Sequence, residues 1–164
     1  MKYWEFTEET KVSFTGEKLR RIVCTQDILH ANEGDLGGWL GEKAVLKDNA
    51  WIADEAQVFG NAEVRDNAEV FDNAKVYDNA KVYDNARVCD DAEVGGNAKV
   101  CDNAEVFHNA KVCDDAEVGG NLIVGGCAIV CGNAKIGFAK IGGTATVGGN
   151  QEVLTNTVLY KKSE

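Results

Sequence analysis

The chain is 164 residues long with a formal net charge of −10. A surface this acidic repels DNA, RNA and anionic membranes, which excludes direct nucleic-acid or membrane binding and favours basic protein partners. No apolar run approaches membrane-span length and the opening Met1-Lys2-Tyr3-Trp4-Glu5 is no signal peptide, so the chain reads as cytoplasmic, with its six cysteines, none in a CxxC pair, as reduced thiols.

Residues 1–38 lack the pattern that follows and read as an N-terminal cap. Tyr3 to Phe6, Lys11 to Phe14 and Leu19 to Thr25 are predicted short strands, with Thr15-Gly16-Glu17 as a turn. Residues 39–160 carry a six-residue repeat. Its aliphatic position recurs at Leu40, Leu46, Ile52, Val58, Val64 and Val70 through to Ile136. One rung is short, Ile136 being followed by Ile141, and the phase resumes at Val147, Val153 and Leu159. A small residue such as Ala62 or Ala68 stands two places before each aliphatic. Strand alternation puts both on the inner side, and the residue between them, such as Glu63 or Lys75, outside. Asp-Asn or Gly-Asn turns each corner. Asn and Gly are expected to take the left-handed backbone there, with Asp hydrogen-bonding nearby amides. Residues 161–164 read as a charged tail.

The outward charges test how many rungs make one coil. At a spacing of eighteen the vertical neighbours are Glu63/Lys81, Glu69/Arg87, Lys75/Glu93, Lys81/Lys99, Arg87/Glu105, Glu93/Lys111, Lys99/Glu117 and Glu117/Lys135. All but Lys81/Lys99 are opposite in sign, as facing neighbours on adjacent strands should be. A spacing of twelve gives mostly like charges. The fold class is therefore all-β: a single-stranded parallel β-helix, a triangular solenoid of about seven coils, on the order of 34 Å long at one strand spacing per coil.

The pattern of an aliphatic, corner residues and a small residue resembles the hexapeptide signature of left-handed parallel β-helix proteins over roughly residues 40–159. Left-handed winding is what that resemblance implies. The run Lys2-Tyr3 to Thr7, Glu9-Thr10-Lys11, Gly34-Asp35-Leu36-Gly37-Gly38-Trp39-Leu40 and Asp48-Asn49-Ala50-Trp51 is similar to YdcK-like bacterial and phage proteins, which are often labelled acetyltransferases. Acyltransferases sharing the helix are typically trimers. They typically use a histidine near an inter-subunit cleft, a loop protruding from a coil and a C-terminal element at the acyl donor. Here the rungs run on without a protruding loop, no helix is predicted after Tyr160, and only His30 and His108 are available.

The candidate residues follow from the columns. His108 stands at a corner above Asp54, Asp72 and Asp90, either as a general base with a carboxylate partner or as a plain exposed corner histidine. His30 is expected to serve turn or cap packing. Asp48, Asp66, Asp84 and Asp102 form one corner column. They read as side chains holding turn amides, as an anionic stripe that mimics nucleic-acid phosphates, or as a calcium site. Phe59 and Tyr77 are vertical neighbours, as are Phe71, Cys89 and Phe107, and such columns read either as an exposed interaction face or as ladder stacking. Cys113 and Cys131 fall near disulfide distance. No glycine-rich nucleotide turn is present, and neither cofactor nor metal is expected.

The expected function is a non-catalytic structural or protein-interaction rod acting on a protein partner or on itself, as a homotrimer or an end-to-end dimer. The alternatives are an acidic decoy or inhibitor of a basic host protein, in keeping with a phage-derived chain, and a hexapeptide acyltransferase using acyl-CoA.

Overall fold

The computed structural model describes residues 2–162, and the two last residues of the predicted tail lie outside them. The described residues contain no helix, so none is long and apolar enough to cross a membrane. From residue 36 onward the chain winds as a parallel β-solenoid of about seven coils, with three short strands per coil. The first face stacks Leu36–Gly41, Gln57–Val58, Lys75–Val76, Glu93–Val94, Lys111–Val112, Ile129–Val130 and Thr146–Val147. The second runs from Val45–Leu46 to Glu152–Val153. The third runs from Trp51–Ile52 through Glu69–Val70, Arg87–Val88, Glu105–Val106, Ile123–Val124 and Ala139–Gly143 to Thr157–Lys161.

Periodicity explains the winding. A two-residue strand cannot bury a face alone, so each coil is stable only when stacked on its copies. The inner column is dry: Val64, Val70, Val76, Val82 and Val88, with Ala62, Ala68, Ala74, Ala80 and Ala86, are fully buried. Each buried valine contributes about 1.5–3 kcal/mol. Leu122 takes the small-residue position in one rung and is also fully buried.

All eight charge pairs face one another in register across adjacent coils. Six close as ion pairs, among them Lys75–Glu93 at 3.4 Å, Lys111–Glu93 at 2.9 Å and Lys99–Glu117 at 2.6 Å. The short rung shifts the register to seventeen residues, so that Val124 faces Ile141 and Ile136 faces Val153, and eighteen returns between Ile141 and Leu159.

The cap differs in detail from the expectation. Strand β1 (Trp4–Val12) is one strand with an irregular register between Phe6 and Thr10, where two were predicted. It pairs antiparallel with β2 (Lys18–Cys24), which pairs antiparallel with β3 (Leu36–Gly41), the first strand of the first face. The cap closes the end of the rod with side chains. Tyr3 Oη donates to the Ala50 carbonyl and Trp4 Nε1 to the Leu46 carbonyl at 3.1 Å, while Ile22 and Cys24 join the buried column. Burial pushes the Tyr3 phenol up, which keeps it a neutral donor. His30 Nε2 donates to the Asn67 carbonyl at 3.0 Å, fastening the cap to a corner of the second coil.

Candidate interaction face

The corners are built differently from the reading of Asn as the left-handed residue. The positive φ belongs to the residue before it: Asp48, Asp54, Asp66, Asp72, Asp78, Asp84, Asp90, Asp102, His108 and Asp114 lie at φ 53–62°. Gly60, Gly96, Gly120 and Gly126 occupy the same slot. Each corner carboxylate accepts the backbone N–H of the corner residue one coil on. In the column Asp48, Asp66, Asp84, Asp102 these distances are 3.4, 3.3 and 3.2 Å, and Asp102 then accepts Gly120 N–H. Of the three readings of this stripe, amide-holding is thus what the geometry supplies. The asparagines form their own ladders, with each Nδ2 donating to the next Oδ1: Asn49 to Asn67, Asn67 to Asn85 and Asn85 to Asn103, at 3.2–3.3 Å. Stacked amides satisfy one another without twist, because each offers a donor on one side and an acceptor on the other.

His108 is a corner residue in an aspartate slot. Its Nδ1 accepts Gly126 N–H at 3.3 Å and its own N–H is held by Asp90 at 2.9 Å, so the imidazole does the job of a corner carboxylate. Its Nε2 lies 4.0 Å from Asp90 Oδ2. The Asp72/Cys89/Asp90 and Asp84/Cys101/Asp102 groups bring three donor atoms within 4.8 Å of one another. Calcium takes six to eight oxygen ligands, and here two carboxylates are joined by a thiol. Burial pushes the Cys89 thiol up to about 11 and raises Cys101 as well, which keeps both as weak neutral ligands.

The aromatic columns separate into two. Phe59 stacks on Tyr77 with centroids 5.7 Å apart, and Phe14 of the cap packs edge-on against both. Phe59 is buried with Leu19 and Trp39, which corrects its placement on an exposed face: the cap hairpin covers it. Phe71 and Phe107 are half-buried on the third face. The Arg87 guanidinium lies 4.9 Å from the Phe71 ring centre, and the Phe107 ring lies over Gly125, where a Cβ would come within 2.7 Å of it. Cys113 and Cys131 follow in the Phe59/Tyr77 column as free thiols, and Cys113 is raised first by burial.

Above Phe107 the third face changes character. Gly125, Gly126, Gly142 and Gly143 replace side chains and leave an open groove of about 480 Å³ between Phe107 and Tyr160, edged by His108 and Lys140. Val158 and Tyr160 on the last strand are 72 % and 68 % exposed. No known protein family matches this chain, and no curated protein does. The sequence reading named Phe107 and His108, and took Val158-Leu159-Tyr160 as a thin cap leaving room for self-association at that end, but named neither the groove nor Ile123 and Lys140 around it. The signal was there in the paired glycines at 125–126 and 142–143, which read as corners and nothing more.

Proposed function

We propose that this protein is a non-catalytic interaction rod, and that its working surface is the C-terminal half of the third face. One observation carries the reading. Along the middle coils the polar groups are consumed in self-stacking, as corner amides, asparagine ladders and ion pairs, whereas the last coils expose a glycine-floored groove flanked by Val158 and Tyr160. Exposed apolar side chains also occur elsewhere, as at Phe14 and Leu29 of the cap, but here they flank a glycine-floored groove, and an apolar patch of that shape marks an interaction site. His108 has the role of a corner acceptor, which argues against a general base. The chain's proposed kinship with YdcK-like proteins, its left-handed winding and its phage-related origin rest on the resemblance of the residues quoted above, and its proposed cytoplasmic setting on a sequence with no apolar run of membrane-span length.

The experiment compares purified protein and its His108→Ala variant for release of free CoA from acetyl-CoA with amine acceptors. It also compares capture of binding proteins by wild type and by Tyr160→Asp. The reading predicts no CoA release and a binding partner, or self-association, that Tyr160→Asp loses. Turnover abolished by His108→Ala would overturn it in favour of an acyltransferase. A second reading, an acidic decoy for a basic protein, is favoured by the stacked corner aspartates Asp48, Asp66, Asp84 and Asp102 and the formal net charge of −10. It predicts binding to a basic protein that weakens steeply with salt and with Asp66→Asn, and not with Tyr160→Asp.

A further inference from the structure

The third face is divided by charge. Its lower coils lie between two corner columns of aspartate, Asp48, Asp66, Asp84 and Asp102 on one side and Asp54, Asp72 and Asp90 on the other. Above the Glu105 rung the same columns continue as His108, Gly120, Gly126 and Gly143, and the outward positions become Ile123, Lys140 and Val158. On this face and its two corners the lower coils carry Glu69, Glu105 and the seven aspartates against Arg87, and the upper coils carry Lys140 and Lys161. Opposite signs on adjacent coils satisfy each other below. Lys140, between Ile123 and Val158 in its column, has no carboxylate above or below it.

We infer that this face is the interface of a symmetric dimer in which two copies lie side by side and antiparallel, deepening the interaction reading on which it rests. The occupant of the apolar, basic half is the acidic half of a second copy. A two-fold axis across the Glu105–Phe107 rung sets the two Phe107 rings and the two Glu105 side chains against each other at its centre and brings the upper lysines of each copy onto the lower carboxylates of the other; closed two-fold pairs of this kind are the commonest oligomers. Lys140 of one copy meets Glu69 and Asp72 of the other, and Lys161 approaches Asp54.

Zero-length carbodiimide cross-linking with peptide mass spectrometry, run beside sedimentation velocity, tests the arrangement. Within one copy Lys140 and Glu69 are four coils apart, about 19 Å at one strand spacing per coil, too far for a zero-length link. The dimer predicts links from Lys140 or Lys161 to Asp54, Glu69 or Asp72. It also predicts a dissociation constant raised about tenfold or more by Lys140→Glu with Lys161→Glu, in a variant whose circular dichroism is unchanged. A monomer at the highest concentration reachable overturns the inference. So does a dimer lacking these links. In either case, a different protein captured in a Tyr160-dependent manner would leave the interaction reading standing.

Discussion

Replacing Asp84 separates the two tasks of a corner residue. It sits at φ 60° in the middle of the rod, and its carboxylate accepts Asp102 N–H at 3.2 Å. Alanine removes the acceptor, worth about 1 kcal/mol net at a partly solvated amide. It also leaves a Cβ in the left-handed region without the polar side chain that stabilises that turn, at a further cost of about 1 kcal/mol. Asp84→Ala should therefore lose about 2 kcal/mol, or roughly 4–8 °C in melting temperature for a domain of this length. Asp84→Gly loses the same acceptor but relaxes the backbone, so its cost falls to about 0.5–1 kcal/mol. Asp84→Asn keeps both an acceptor and a tolerance of this conformation and stays within about 0.5 kcal/mol of the parent. Urea and thermal denaturation followed by circular dichroism would rank the series Asp, Asn, Gly, Ala. Alanine as stable as glycine would refute the argument, since the left-handed corner would then not be what selects Asp and Gly.

Three further outcomes follow from the same geometry. Asn85→Asp replaces a donor between Asn67 and Asn103 with a second acceptor facing Asn103 Oδ1, and should cost about 1 kcal/mol at neutral pH, read from the urea midpoint. The Lys47 ammonium, 2.7 Å away, holds the Glu63 carboxyl below its ordinary 4.5, with Lys81 and Arg65 assisting. The unfolded chain then binds the proton more readily, so this stabilisation is present above the ordinary value and is lost as pH falls through the lower, folded one. Melting temperature against pH should thus fall less steeply on the acid side in Glu63→Gln, and an unchanged slope would contradict the assignment. Gly143→Ala would drive a Cβ into the Lys161 carbonyl oxygen from a backbone at φ 62°, freeing the strand Thr157–Lys161, and limited proteolysis should cut near residue 156 faster than in the parent.

The rod was legible because its information is redundant. Val76 and Lys75 each belong to a column, and the sign of Glu93 eighteen places on identifies the coil independently of the valines. The cap was less legible: Trp4–Val12 is a single strand whose irregular register, near the Glu8-Glu9 pair, carries no periodic signal. The corners were half-read. Aspartate, asparagine and glycine all favour turns, so composition alone does not say which holds the left-handed residue. The substitution pattern does, because Gly60, Gly96 and Gly120 replace aspartate and leave Asn61, Asn97 and Asn121 in place. The burial of Phe59 was out of reach from the repeat, since Phe14 and Leu19, which cover it, lie more than thirty residues away in the non-repeating cap.

The groove arises from the same rule that stiffens the rest of the rod. A corner tolerates either a side chain that holds the next amide or no side chain at all, and the middle coils mostly take the first solution while the last coils take the second. The exchange leaves the backbone path unchanged, as Gly126 at φ 69° and Asp72 at φ 58° show. It removes a carboxylate and uncovers the flat ladder beside it. Aromatic rings then have somewhere to lie: Phe107 rests on Gly125, as Tyr77 rests on Gly95 on the first face. Substituting glycine for aspartate along one column thus changes charge, shape and apolar exposure together at little cost to stacking. A repeat that looks uniform can in this way carry two unlike surfaces on one face, which is the asymmetry an antiparallel pair requires.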